Sequence, residues 1–157
     1  MQREHHYQAN IIWTGNKGSG TDSYLGYARS YTVNIDNKPE IQGSAAAAFH
    51  GDKTKYNPEE MLLIALASCH MLWYLHLCSE AGVVVVEYTD RATGLMTETP
   101  SGNGKFESVT LNPIVVIRDQ TKNEIAIELH KKANEFCFIA NSVNFKVNHK
   151  PVFKLMK

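Results

Sequence analysis

Three cysteines carry most of the reactive chemistry that this chain of 157 residues can offer. Cys69 lies in the apolar run ALASCHMLWYLHLC, which Cys78 closes, and Cys137 follows much later in NEFCFIANS. Taken alone, a cysteine in such a run is a small core hydrophobe. A second one in a similar setting far along the chain raises thiol–disulfide chemistry as the alternative. Cys69 and Cys78 are nine residues apart. On one helix, nine steps of about 100° place them on opposite faces, roughly 13.5 Å apart along the axis, beyond the ~7 Å that bridged Cα atoms tolerate. Cys69 with Cys137 is the pair that tertiary packing could join. Cys78, near the end of its run, reads as structural.

A redox thiol needs its thiolate stabilised, and in apolar surroundings that takes a cation. Arg29, Lys17 and His70 are the candidates. His70 adjoins Cys69, but neighbouring helical residues diverge by about 100°, so adjacency does not bring the ring to the sulfur. His76 falls on nearly the same face as Cys69, about 10 Å further along. Cys69, His70 and His76 together suggest zinc, yet their spacing matches none of the usual ligand patterns. No metal and no cofactor is expected. A Cys–His hydrolase built on Cys69 lacks a clear third orienting residue and an oxyanion loop. The stretch Gly15–Gly20 (GNKGSG) could cradle phosphate, but no P-loop Lys-Ser/Thr follows it and no helix pattern opens after it. It reads as a turn between strands.

The element that must position Cys69 runs from Asn57 to Gly82. Asn57 suits an N-cap and Pro58 the first helical position. Glu59 and Glu60 set negative charge on the positive end of the helix dipole, and Gly82 is the expected left-handed cap. The spacing predicts about 24 helical residues, some 36 Å long. Side chains from Met61 to Leu77 are apolar or aromatic nearly all round, which predicts a helix buried on most faces. Its apolar run is short for a membrane span and carries His and Cys, so no membrane is expected.

The remaining elements are short. Tyr7–Thr14 and Tyr24–Ile35 read as strands, the second with Tyr27, Arg29, Tyr31, Val33 and Ile35 on one face. Arg29 on that apolar face needs a carboxylate or anionic ligand, or else its stem packs while its head reaches solvent at a sheet edge. The segment from Asp36 to Tyr56 reads as a long connection that covers a site or wraps a partner. Val83–Met96 and Phe106–Arg118 form a hairpin of two strands, with Pro113 at a bulge or edge. Thr121 and Glu124 make a capping box for a second helix, with an apolar stripe of Ile125, Leu129, Ala133, Phe136 and Ala140. Val143, Phe145 and Val147 alternate as a last strand. Strands, a long helix, strands, a helix and a strand make an α+β protein of one domain over residues 1–157.

Sixteen basic and sixteen acidic residues cancel to a formal net charge of zero. That argues against nucleic acid or an anionic membrane as the main partner. The polar start, Met1 to His6, does not read as a signal peptide, and an odd number of cysteines then points to a reducing cytoplasm.

The segment NPEEMLLIALASCHM resembles the OsmC/Ohr family of thiol-dependent hydroperoxide reductases. In that family an Asn-Pro-Glu-Glu/Gln helix start precedes a cysteine that lies ten residues after its first Glu, and Glu59 and Cys69 have that spacing. Cys137 in NEFCFIANS is similar to the family's second cysteine near the end of a later helix. Trp13-Thr14-Gly15 and Gly18-Ser19-Gly20-Thr21 look like its N-terminal turns. The resemblance implies an OsmC-like α+β fold, with a long central helix, a second helix and an intertwined homodimer. It implies reduction of organic hydroperoxides with Cys69 as the peroxidatic thiol, Cys137 as the resolving thiol, and an external dithiol as reductant, in oxidative-stress defence. The activating arginine of the family lies in the N-terminal glycine-containing loop. That loop here offers only Lys17, so Arg29 on the next strand, oriented by Glu59, is the preferred substitute, with Lys17 as the alternative cation. Leu62, Leu66, Trp73 and Phe138 would line an apolar site. Glu59 lies about 15 Å up a straight helix from Cys69, so antiparallel packing of two central helices in a homodimer would bring Glu59 of one chain nearer Cys69 of the other. The competing function on the same scaffold is a non-catalytic binder of small molecules or lipids, with Cys69 merely buried.

Overall fold

The computed structural model describes residues 3–154, which fall into two compact units divided between Met61 and Leu62. In the first unit, β1 (Asn10–Trp13), β2 (Tyr31–Asn34) and β3 (Ile41–Gly43) form an antiparallel sheet in that order. Both predicted strands are therefore shorter than expected, and the predicted connection from Asp36 to Tyr56 contains β3 and a 3-10 turn, Ala47–Phe49. The cause is local. Residues 14–28 fold as a loop fastened at its base, with Thr14 N–H donating to Ser30 O, Ala28 N–H to Gly15 O, and the Trp13 indole to Ala28 O at 2.9 Å. Gly15 is required there, since a Cβ would lie 1.7 Å from the Ala28 carbonyl oxygen.

Helix α1 (Pro58–Glu80) begins in the first unit. Asn57 and Glu60 form a reciprocal capping box: Glu60 N–H donates to Asn57 Oδ1 at 2.8 Å and Asn57 N–H to Glu60 Oε2 at 3.1 Å. At the other end Gly82 takes a φ of 67°. Val83 N–H then reaches back to Cys78 O at 2.8 Å and Gly82 N–H to Ser79 O at 3.1 Å, the Schellman pattern. Within one chain the expected burial on most faces is not met. The fully buried side chains are Leu66, His70, Tyr74 and Cys78, an i, i+4 stripe, while Ile64 and Leu72 are exposed. By length and hydropathy α1 would also qualify as a membrane span, with a mean hydropathy of 1.7 over an 18-residue window.

In the second unit, two three-stranded sheets share one plan. One has the order β4 (Val85–Asp90), β7 (Pro113–Ile117), β9 (Val152–Lys154), and the other β5 (Thr93–Glu98), β6 (Gly104–Leu111), β8 (Lys146–His149). In each, the first pair is antiparallel and the second parallel. The breaks between successive strands fall in step, at Arg91–Ala92, Asn112 and Lys150–Pro151. Asn112 ties the break together: its N–H donates to Asp90 Oδ1 and its side-chain amide to Arg91 O, while Lys150 N–H donates to Leu111 O. The predicted hairpin of two long strands is thus present but interrupted on both strands, and Pro113 opens β7, where a missing N–H is tolerated.

Helix α2 (Asn123–Phe136) follows a 3-10 turn, Gln120–Lys122. The predicted Thr121–Glu124 box does not form. Asp119 instead caps the 3-10 turn, its Oδ1 accepting from both Thr121 N–H (3.0 Å) and Thr121 Oγ1 (2.7 Å), and α2 follows its N-cap residue, Lys122, with no side-chain cap. The buried face of α2 is Ala126, Leu129, His130 and Ala133, rotated from the expected stripe, and Ile125 and Phe136 are half-exposed. Two apolar clusters result. Tyr74, Cys78, Val115, Ile117, Leu129 and Ala133 form one, and Leu66, Val109 and Leu111 the other.

Candidate functional site

Cys69 is half-buried on α1 and Cys137 is fully buried at the C-cap of α2. The chain leaves helical geometry at Cys137 (φ −67°, ψ 108°), and a 3-10 turn, Ala140–Ser142, follows directly. Ala140 N–H points at Cys137 Sγ at 3.4 Å, and Asn141 N–H donates to Cys137 O at 3.0 Å. Burial is the main cause that pushes Cys137 up to about 11, the interaction with Cys69 adds to the rise, and the Ala140 N–H opposes it. Cys137 therefore stays a thiol at neutral pH and can donate toward the Cys69 sulfur. Cys78 sits apart in the larger apolar cluster, with its thiol raised by burial.

Aromatic rings flank the two sulfurs. Trp73, one helical turn beyond Cys69, stacks on Phe136 at 5.2 Å and meets Phe138 edge-on at 5.7 Å, and these two phenylalanines bracket Cys137 in the chain. Phe138 is exposed, so this lining opens outward. Leu66, expected in the lining, is fully buried against Val109 and Leu111, and Leu62 packs on the same cluster.

The predicted cation and its orienting carboxylate lie in the first unit. Arg29 is half-buried in the extended segment before β2 rather than on the strand. Its guanidinium donates to Tyr27 O at 2.7 Å and to Tyr24 O, and stands over the rings of Tyr24 (4.5 Å) and Tyr27 (4.2 Å). No carboxylate pairs with it among the described residues. Five N–H groups with two committed leave three to offer. Lys17 is exposed in the loop. Glu59 is half-buried, and its Oε2 is sealed from solvent with no hydrogen-bond partner among the described residues. Burial and then the charge of Glu59 raise the Tyr31 phenol.

His70 does not face Cys69 as a partner. It belongs to a buried histidine cluster that spacing did not reveal: His70 Nε2 and His130 Nδ1 share a hydrogen bond of 3.0 Å, and the ring of His149 lies 4.4 Å from that of His70. Burial first, and then the charge of His149, drives both His70 and His130 down to about 3, with His130 adding to the fall at His70. The available signal was helical phase, since His70 continues the Leu66–Tyr74–Cys78 stripe and His130 the Ala126–Leu129–Ala133 face. His76 is exposed beside Trp73. Among the described residues, no three His, Cys, Asp or Glu side chains converge as a metal centre.

A long helix, a second helix and three three-stranded sheets define an α+β protein. The sequence pattern described as OsmC-like protein matches residues 50–151, and the chain belongs to that family. It is 30% identical to an OsmC-like protein of unknown function from Vibrio cholerae, with a TM-score of 0.85 over 95% of this chain and 100% of that one. It is 24% identical to the uncharacterized protein YmaD of Bacillus subtilis, over 92% of this chain and 90% of YmaD. An organic hydroperoxide resistance protein OsmC from Legionella pneumophila has the same fold, with a TM-score of 0.66 at 19% identity over 96% of this chain and 99% of its own.

Proposed function

We propose that this protein is a thiol-dependent peroxidase that reduces organic hydroperoxides through Cys69 and Cys137. What supports this reading is that Cys69, on α1, is among the neighbours that raise the thiol of Cys137, at the end of α2. The Cys69 thiolate attacks the O–O bond, forming an S–O bond and releasing an alkoxide that takes up a proton to leave as alcohol. Sulfur is oxidised to sulfenic acid and the peroxide is reduced. Cys137 then attacks the sulfenic sulfur, its proton leaving with the hydroxyl as water, and a disulfide remains. An external dithiol returns both sulfurs to thiols by exchange.

The Trp73, Phe136 and Phe138 rings favour an organic over a small polar peroxide. Arg29, with unused donors, is the cation proposed to stabilise the Cys69 thiolate and polarise the peroxide, and the orphaned Glu59 carboxylate is its proposed orienting partner. These roles belong to a homodimer in which α1 of each chain meets α1 of the other. Exposed apolar side chains support that assembly: Ile11, Ile12 and Trp13 in the first unit, and Ile64, Leu72 and Phe138 in the second. Three free thiols suit a reducing cytoplasm and a role in oxidative-stress defence.

The test is intact mass under non-reducing conditions after one equivalent of cumene hydroperoxide, with peptide mapping. Loss of two hydrogens at Cys69–Cys137 is the expected result. Thiols unchanged after minutes would sink the peroxidase and favour a binding protein.

A further inference from the structure

Two features of the second unit bridge the same pair of helices, and only one of them is the thiol pair. His70 is the residue after Cys69 on α1, and His130 lies seven residues before Cys137, two turns back on α2. Their ring nitrogens meet at 3.0 Å, and the two residues are 1% and 2% exposed. Nothing in the proposed peroxide chemistry uses either ring.

We propose that His70 and His130 are positioning residues for the thiol pair: their hydrogen bond sets the rotation and register of α1 against α2, and with it the separation of Cys69 from Cys137. The inference rests on reading Cys69 and Cys137 as a redox pair. The neighbouring contacts around the two rings are apolar or stacked, such as Tyr74 on His130 with ring centres 3.8 Å apart. Contacts of that kind tolerate sliding, because dispersion depends weakly on direction. A hydrogen bond between two sealed rings does not, since a small shift leaves both nitrogens unpaired where water cannot replace the partner. Turning α1 to swing Cys69 away from Cys137 would also turn His70, only about 100° around the same helix. Disulfide geometry tolerates little error, with Cα atoms roughly 4.4–6.8 Å apart, so a directional lock close to the sulfurs has a use that a purely apolar core would not supply. The His149 ring, 4.4 Å from His70, closes the third side from β8.

The experiment equilibrates the reduced protein with glutathione buffers and measures the effective concentration of Cys137 toward Cys69, with mapping to identify the bridge. It uses no peroxide. If the wild type forms no Cys69–Cys137 disulfide, the redox-pair reading itself fails. If it does, H70L/H130L decides. This double variant removes both polar partners and strands neither. Its effective concentration should fall about tenfold, equal to a reduction potential about 30 mV higher. H130N, whose amide can occupy the place of Nδ1, should stay within about threefold of wild type. H130F, which keeps the stack on Tyr74, is the substitute should the double variant not fold by near-ultraviolet circular dichroism, and it should show the same fall. An unchanged effective concentration in a folded H70L/H130L or H130F overturns the proposal and leaves the peroxidase untouched. Failure of both to fold overturns it as well, making the histidines determinants of folding rather than of thiol position.

Discussion

Cys69 and Cys137 differ in what their surroundings let a sulfur do. Cys69 is half-accessible, whereas Cys137 is enclosed, accepts an N–H from Ala140 and is held as a thiol. Under the proposed function, that difference gives attack on peroxide to Cys69 and closure to Cys137. Cys69→Ser should abolish peroxide consumption. Cys137→Ser should still consume one equivalent, and its Cys69 should then advance to sulfinic acid with excess peroxide, read as two added oxygens by mass. Cys78→Ala should leave turnover within about twofold of wild type, because Cys78 lies in the other apolar cluster; a large loss would mean that its packing matters to the site. Closure should also depend on pH. With Cys137 raised to about 11 by burial and by Cys69, its thiolate fraction grows about tenfold per pH unit below that value. Disulfide formation after a peroxide pulse should therefore speed up from pH 7 to pH 9. Trp73, stacked on Phe136 beside Cys137, is the fluorescent reporter for stopped flow. A closure rate flat across that range would rule out Cys137 deprotonation as part of the slow step.

At the level of elements, α1 shows which features of a sequence are local and which are not. Its ends were legible because caps are local chemistry: Asn57, Pro58, Glu60 and Gly82 each act within four residues of themselves. Its burial was not, because a run apolar on all sides carries no phase, and only the sheet decides that Leu66, His70, Tyr74 and Cys78 face inward. The same limit hid the histidine cluster, whose members come from α1, α2 and β8. The cluster has a consequence for stability. His70 and His130 are driven down to about 3 and His149 is lowered too, burial being the main cause in each. An unfolded histidine binds a proton near pH 6.5, so between that value and the folded one the unfolded chain holds more protons. The stabilisation is complete above about pH 6.5 and is lost progressively as the pH falls toward 3. Asp90, raised by burial, works in the opposite sense. Urea unfolding should show a lower unfolding free energy at pH 5 than at pH 7.5, by roughly 1–2 kcal/mol for each of His70 and His130. H70L/H130L should lose most of that dependence, and equal pH dependence in variant and wild type would clear the cluster of the role.

For the whole molecule, the α+β class followed from the order of elements, and the proposed thiol pair rests on two cysteines in similar contexts. The breaks at Arg91–Ala92, Asn112 and Lys150–Pro151 were not legible, because a strand that bends in step with its neighbours keeps its alternation on either side of the bend. The assembly is the remaining question of scale. Each unit on its own exposes large apolar side chains: Ile11, Ile12 and Trp13 on β1, and Leu72, at 63% exposure, on the outer face of α1. Leaving such residues in water forgoes about 25 cal/mol for every Å² that a partner would cover, and a second copy is the partner proposed. Under this proposal the chain runs as a dimer in light scattering at micromolar concentration. Leu72→Glu places a charge where the second α1 would pack, and it should shift the mass toward the monomer. If Arg29 and Glu59 act on the Cys69 of the other chain, that variant should lose peroxide reactivity together with dimer mass, while glutathione still closes Cys69–Cys137 within each chain. Full reactivity in a monomeric Leu72→Glu protein would show that one chain completes its own site. A wild type that is monomeric at those concentrations would remove the shared site altogether and leave the exposed face of α1 to another partner.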